Sequence, residues 1–298
     1  MKASTIIITL ASITGLLGGI AAGVGLFLDR PGEPFAFTTL RGQEVDIYGR
    51  GLYRFDSLLT GAGYRGQDAV ALFLGIPILI IAILLYQRGS LAGQYLLTGI
   101  LGVFLYLYSS MALGAAFNPL FLMYVATFGV SLFGFIFVFN DTTLRISALD
   151  GQVDLLKQGL DTFMIISGIA TLVYWIAPFI SATLQGVLTV HISRYTTLVN
   201  FAINLAVITP AMFISAYLIR RQSAAGIVLA SPLVVLLIFL APQTVLTTLF
   251  QNLAGVSLPA VEIIISIALF IILGGFGLWF LLNIMRSISK IEQEVESI

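Results

Sequence analysis

The sequence predicts an all-α integral membrane protein: a bundle of about eight transmembrane helices, with a roughly 40-residue extracytoplasmic loop between helices 1 and 2. Three observations lead there. Of 298 residues, 59% are hydrophobic and 9% charged, and the mean hydropathy is +1.05, whereas soluble domains are about half apolar and a quarter charged. Apolar runs of about 20 residues, enough to cross the hydrocarbon core, recur eight times. Lys and Arg fall unevenly among the connections.

The spans are expected near 5–27, 69–86, 91–111, 120–139, 162–182, 196–219, 224–240 and 260–283. Runs this long and continuous are helices, because a transmembrane barrel would alternate apolar and polar residues in shorter segments. The segment 243–259 is less apolar and bounded by Pro242 and Pro259, which suits either an interfacial or a re-entrant stretch. With the N-terminus inside, Lys2, Arg88, Arg145, Lys157, Arg220, Arg221, Arg286 and Lys290 fall on the inner face. Short outer connections then receive only Arg194, as the positive-inside rule requires. The expectation is a multi-pass protein of the plasma (cytoplasmic) membrane, both termini cytoplasmic and the loop 28–68 outside. The first run, with Lys2 ahead of it and Ala21-Ala22-Gly23 near its end, resembles a signal peptide, but its apolar length favours a retained helix. The tail 284–298 places Ile288, Ile291, Val295 and Ile298 at helical spacing and continues the last helix. No obvious repeat of 20–50 residues appears, and the two halves share no loop pattern, so no inverted repeat is assigned.

Residues 29–68 hold 11 of the 28 charged side chains, five Arg against six Asp or Glu. Within them, 35–40 and 44–48 are β-prone stretches around a turn at Arg41-Gly42-Gln43, a hairpin pattern. The following run, Tyr48 to Asp56, interleaves Tyr, Arg and Asp. Arg50, Arg54 and Arg65 are the anion-facing candidates there, and Asp56 is a pairing partner for them. The balanced charges favour a self-satisfied structural cap.

Other uncharged or lone polar groups collect toward the outer ends of the spans: Asn118, His191, Asn200, Asn204, Gln243, Gln251, Asn252 and Glu262. Asn200 and Asn204 lie four apart, on one helical face, suited to line a cavity or to bond neighbouring helices. Among the assigned spans only Glu262 places a charge within a helix, which argues against carboxylate proton relays and Arg voltage sensors. Gly15, Gly19 and Gly23 form a small-residue seam for packing in the bundle, for a protein partner or for a homo-oligomer through helix 1.

Zero Cys excludes thiolate chemistry and one His excludes a His-rich metal site, so no metal or cofactor is expected. The zero net charge argues against nucleic acid. No P-loop, nucleophile elbow or zinc-protease motif occurs, and no catalytic residue is assigned. The leading expectation is a protein embedded in membrane lipids that binds or moves a small molecule or lipid from the outer face. Arg50, Arg54, Asp56, Asn118, His191, Asn200, Asn204 and Glu262 are its candidate residues. The alternative is a non-catalytic accessory, assembly or sensor subunit presenting its outer loop to a partner. A lipid-modifying enzyme using His191, Asp56 or Glu262 ranks third.

Overall fold

The computed structural model describes residues 4–28, 30–149, 159–186 and 190–296. Lys2, Asp29, Lys157 and Ile298 lie outside the described residues. The chain is a polytopic helical bundle with eight helices long and apolar enough to cross a membrane. They are α1 (Thr5–Phe27), α2 (Leu58–Gln87), α3 (Leu91–Gly114), α4 (Phe121–Ser147), α5 (Leu160–Leu184), α6 (Val199–Arg220), α7 (Ala224–Leu253) and α8 (Ala260–Glu296). Between α1 and α2 lies the expected hairpin, β1 (Phe35–Thr38) antiparallel to β2 (Glu44–Ile47), with Phe35 opposite Ile47 and Gly42 at φ +76° in its turn.

Three elements, α2, α4 and α7, exceed their expected bounds by eight residues or more, while α8 runs along the tail as its isoleucine spacing predicts. Helix α2 starts at Leu58 rather than near 69, because Ser57 caps it by accepting from the Thr60 N–H at 3.2 Å. The loop is correspondingly shorter. Helix α4 runs on to Ser147 and α8 to Glu296. Helix α7 continues through Pro232 and Pro242 to Leu253, so 243–253 is part of that helix rather than a separate segment. The Thr244 hydroxyl donates to the Leu240 carbonyl at 2.8 Å near the second proline, one way a helix tolerates Pro in lipid. The longer helices also carry Arg65, Asp68, Asp141 and Arg145. The expectation that Glu262 alone charges the helices is thus corrected.

Helices α3 and α7 form the centre: 78% of the most apolar window of each is buried, against 22–39% for the other six. Around them, α4 packs on α3, α1 lies on α2 and α4, α2 packs on both α3 and α7, and α6 and α8 pack on α7 with α5 on α6.

Two helix pairs repeat one pattern. Helix α2 contains a π-helical turn at Ala71–Gly75 followed by Pro77, and α6 contains one at Asn204–Ile208 followed by Pro210. A proline has no N–H to donate and its ring pushes the carbonyl four residues back out of line, so the ladder widens locally. Each helix then ends in a tight turn, Arg88-Gly89-Ser90 or Arg221-Gln222-Ser223, with Gly89 at φ +84° and Gln222 at φ +58°. Ser90 and Ser223 occupy the N-cap positions of α3 and α7. Gly93 and Gly226 then pass so close to the preceding helix that a Cβ on either would strike it. Every pair is separated by 133 residues (Ala71 to Asn204, Pro77 to Pro210, Gly93 to Gly226). The helix pairs α2–α3 and α6–α7 thus repeat one local pattern at a constant offset of 133 residues. No such repeat was expected from the sequence. The loops differ between halves, and the matched signals are single residues far apart.

Candidate functional site

The loops 30–57, 115–120 and 190–198 meet at one end of the bundle, here the cap end; Ser4, the C-terminal part of α8 and the turns 88–90 and 221–223 define the other, the tail end. At the cap end a cavity of about 200 Å³ lies between the N-terminal parts of α2 and α6 and the C-terminal part of α7. Gly63 and Gly66 bring α2 onto α7 there. A Cβ on Gly66 would stand 2.5 Å from the Thr247 nitrogen, while the Thr247 hydroxyl donates to the Gly63 carbonyl at 3.2 Å. Any larger residue at 66 would push the two helices apart.

Among the described residues the lining mixes apolar side chains with uncharged polar ones. Gln67, Gln243, Gln251 and Asn200 supply amides, Thr60, Thr197 and Thr247 hydroxyls, and His191, Tyr64 and Tyr195 complete the polar wall. No Asp, Glu, Lys or Arg lines it. Gln251 is anchored, its amide donating to the Leu59 carbonyl at 3.0 Å. Gln243 donates to Gln67 Oε1 at 3.4 Å. That leaves Gln67 Nε2, Gln243 Oε1 and Asn200 Oδ1 buried without a partner. Exchanging O and N in the Gln67–Gln243 pair changes nothing of substance, since a singly bonded amide pair always keeps one free donor and one free acceptor. Gln67 is 6% exposed, and a polar group so buried costs free energy unless something bonds it.

The repeat explains the placement. Gln67 and Asn200 are equivalent positions in α2 and α6, 133 residues apart, as are Tyr64 and Thr197, so the cavity sits on the seam between the halves. Both flanking helices enter it just before their π turn. Below it the packing is closed: Phe104 and Phe239 are fully buried, and Gly99 of α3 lies against Ser231 and Val235 of α7.

The cavity's side wall is a clasped segment. Arg41 at the hairpin turn donates to the Ser193 and Tyr195 carbonyls at 2.7 and 3.1 Å. The Tyr195 hydroxyl donates to Asp56 Oδ1 at 2.7 Å, and the Ala116 N–H donates to the same oxygen at 2.7 Å. Asp56 thus ties three loops together, while its Oδ2 is buried and unpartnered. Burial raises its pKa to about 6, against the opposing pull of the Ala116 and Tyr195 bonds and the Arg194 charge. Burial likewise raises the Tyr195 phenol, helped by the Asp56 charge, and lowers His191, which the charge of Glu262 partly offsets.

Of the polar residues singled out in the sequence, His191, Asn200, Gln243 and Gln251 line this cavity. Asn204 lies one turn along, its amide donating to the Tyr106 hydroxyl at 3.0 Å and the Asn200 carbonyl at 2.7 Å. Asn118 is spent on its own turn, accepting from the Leu120 N–H at 2.9 Å. Glu262 is exposed in the first turn of α8. Arg54 is exposed and stacks over Phe55 at 4.8 Å, while Arg50 stacks over Tyr48 at 5.1 Å. Neither pairs with Asp56: the two ion pairs between described residues are Arg145–Glu292 and Arg220–Asp161. The seam glycines Gly15 and Gly19 face Leu79 and Ile76 of α2, and Gly23 faces open space. Among the described residues no cluster of three His, Cys, Asp or Glu side chains is placed to hold a metal. Gln67, Thr60 and Tyr64 were missed, because the segment 58–68 is polar and reads as loop. The available signal was Gln67's position one turn ahead of a proline-interrupted stretch.

No protein-family model matches this chain, and no curated protein or solved structure matches it.

Proposed function

We propose that this membrane protein binds a small, neutral, polar molecule in the cap-end cavity, taken from the outer face. The observation that carries the reading is the set of three unpartnered amide atoms, Gln67 Nε2, Asn200 Oδ1 and Gln243 Oε1, around about 200 Å³ of space. They offer one donor and two acceptors to a ligand with both functions, such as a small amide, polyol or amino alcohol. The uncharged wall argues against an organic acid, which would call for a cation. The short connections carry their basic residues at the tail end, Arg88, Arg145, Arg220, Arg221, Arg286 and Lys290 against Arg194 at the cap; on that count, with the acid-balanced cap loop and its arginines set aside, the cap is outside and both termini are cytoplasmic. A site on the seam between two repeats, flanked by interrupted helices, is the arrangement from which membrane carriers move solutes. The closed packing beneath the cavity makes binding the first step and any movement a separate rearrangement of the halves.

The test is thermal stabilisation of the purified protein by a panel of small amides, polyols and amino alcohols. A true ligand at 100 times its Kd adds about 2.7 kcal/mol, a shift of several degrees, and the shift disappears in Asn200→Leu. A panel in which no compound stabilises the wild type overturns the reading. A second reading, a subunit that presents its loop to a partner, is favoured by the exposed hairpin side chains Phe35, Phe37 and Leu40. A photocrosslinker at Leu40 that captures no neighbour in native membranes removes it.

A further inference from the structure

A second, smaller cavity of about 40 Å³ lies on the opposite flank of the cap, between the last turn of α1 and the loop that follows it. It is bounded by backbone of Gly25 to Leu28, by Gly51 to Tyr53, and by the side chains of Tyr48, Arg50 and Arg65. Neither arginine forms an ion pair with a carboxylate among the described residues. Arg65 donates to the Leu26 carbonyl at 2.9 Å and the Tyr48 hydroxyl at 3.4 Å, and stacks over Phe250 at 5.0 Å. Arg50 stacks on Tyr48, and its Nε is buried with no partner. The carboxylate next to this group is Asp68, which accepts from the Tyr53 hydroxyl at 2.6 Å and sits against Gly25. Among the described residues, two guanidinium groups face one carboxylate at this cavity, a local excess of positive charge.

Its place in the fold says what could meet that charge. Phe27, which borders the cavity, is 67% exposed and meets the 65% exposed Phe73 edge-on at 6.5 Å. Both rings lie on the lipid-facing flank, near the cap-side end of the apolar stretch of α2. Phe73 lies a few residues into the apolar run of α2, so exposed rings at this level stand at the edge of the hydrocarbon core, beside the layer where phosphate groups lie. Guanidinium forks suit phosphate oxygens in charge and geometry, and an acceptor there removes the cost of the unbonded Arg50 Nε–H.

We propose that Arg50 and Arg65 seat a phosphate group at the rim of the bilayer, at a site separate from the amide-lined cavity. A phospholipid headgroup and free phosphate share this chemistry, and the experiment separates them. The purified full chain in maltoside micelles is titrated with phosphatidylglycerol or, at matched ionic strength, with sodium phosphate, and its melting temperature followed. Wild type is expected to be stabilised by phosphatidylglycerol, with apparent binding about tenfold weaker in Arg50→Gln, the loss of one charge-assisted contact. Arg54→Gln, which removes an equal charge from the same loop but points outward, is expected to bind as wild type does. Stabilisation by sodium phosphate to the same extent assigns the site to a free anion; stabilisation by the lipid alone assigns it to the headgroup. The proposal is overturned if neither phosphate source stabilises the wild type, if Arg50→Gln binds as tightly as wild type, or if Arg54→Gln loses as much as Arg50→Gln.

Discussion

Two polar clusters sit at opposite ends of one apolar bundle, and they are built on opposite rules. At the tail end, the amide of Gln94 donates to Asp141 Oδ2 at 2.9 Å and the Tyr86 hydroxyl to the same oxygen at 3.3 Å. Arg145 donates to Gln94 Oε1 and, at 2.9 Å, to the Gly89 carbonyl, and it pairs with Glu292 at 3.4 Å. Glu292 in turn accepts from the Leu91 N–H at 2.8 Å, and Tyr86 accepts from the Ser4 N–H at 3.0 Å. No side-chain atom of this network is buried without a partner. At the cap end three amide atoms are. A network whose every member is bonded fixes geometry; a cluster left open in a cavity keeps its bonding capacity for something that arrives. The tail end is a clasp and the cap end a socket.

The clasp is where the largest effect is expected. Arg145→Ala strips Gln94, Gly89 and Glu292 of their donor at once. The variant should lose roughly 2–4 kcal/mol, because partners of a charged group are left unbonded. The measurement is denaturant or thermal unfolding in micelles. The same change should loosen the end of α8, whose Ile288 and Ile291 are buried against the bundle, and so expose residues 285–294 to protease. An Arg145→Ala protein as stable as the wild type, with an equally protected tail, would refute the clasp.

Asp56 stands between the two rules, with one oxygen doubly bonded and the other orphaned, and its response to pH separates them. Its folded-state pKa of about 6 lies above its ordinary value of 3.8. The folded protein therefore holds this proton more tightly than the unfolded chain does. The stability that protonation brings is present below about pH 4 and is lost as pH rises through 6, of order 2–3 kcal/mol over the window. Asp56→Asn keeps an acceptor for the Ala116 N–H and the Tyr195 hydroxyl but cannot titrate. It should flatten the melting temperature between pH 4 and 6 relative to wild type. If the slope in that window survives in Asp56→Asn, another group causes it.

The contrast between the ends also marks what the sequence could tell. Eight spans were legible because apolar length is a composition signal that needs no partner. Some of their ends were not: residues 58–68 are helical behind a local Ser57 cap in a segment that reads as loop, and 140–147 through the contacts of Arg145 with Gly89 and Glu292 in distant parts of the chain, whereas the tail was legible from its isoleucine spacing. The hairpin was legible from local turn chemistry at Arg41-Gly42-Gln43. Asn200 and His191 reached the cavity as lone polar residues near a helix end. Arg50 and Arg54 did not, because an arginine beside an aromatic ring stacks on it as readily as it seeks an anion. The repeated pattern was hidden for a related reason. What the halves share is a proline after a widened turn and a glycine pressed on the preceding helix, features that acquire meaning only once the backbone is seen.

The smallest expected effect on stability is the sharpest test of the comparison. Gln67 is as buried as a core residue, at 6% exposure, so by burial alone its replacement with leucine should be a severe insult. The socket reading predicts otherwise. Gln67→Leu removes an N–H that has no partner and breaks only the long 3.4 Å contact with Gln243, so its cost is expected at the low end of the roughly 1–3 kcal/mol for a donor left unbonded. Solute-induced stabilisation should vanish in the same variant, since the leucine leaves the ligand one donor short. Gln94→Leu at the clasp carries the identical substitution at a 0% exposed site, where both ends of the amide are in use. It should cost several times more, and unfolding of the two variants side by side measures the ratio. Equal losses would mean that the cap-end amides are structural after all, bonded to water in the folded protein as firmly as Gln94 is bonded to Asp141 and Arg145.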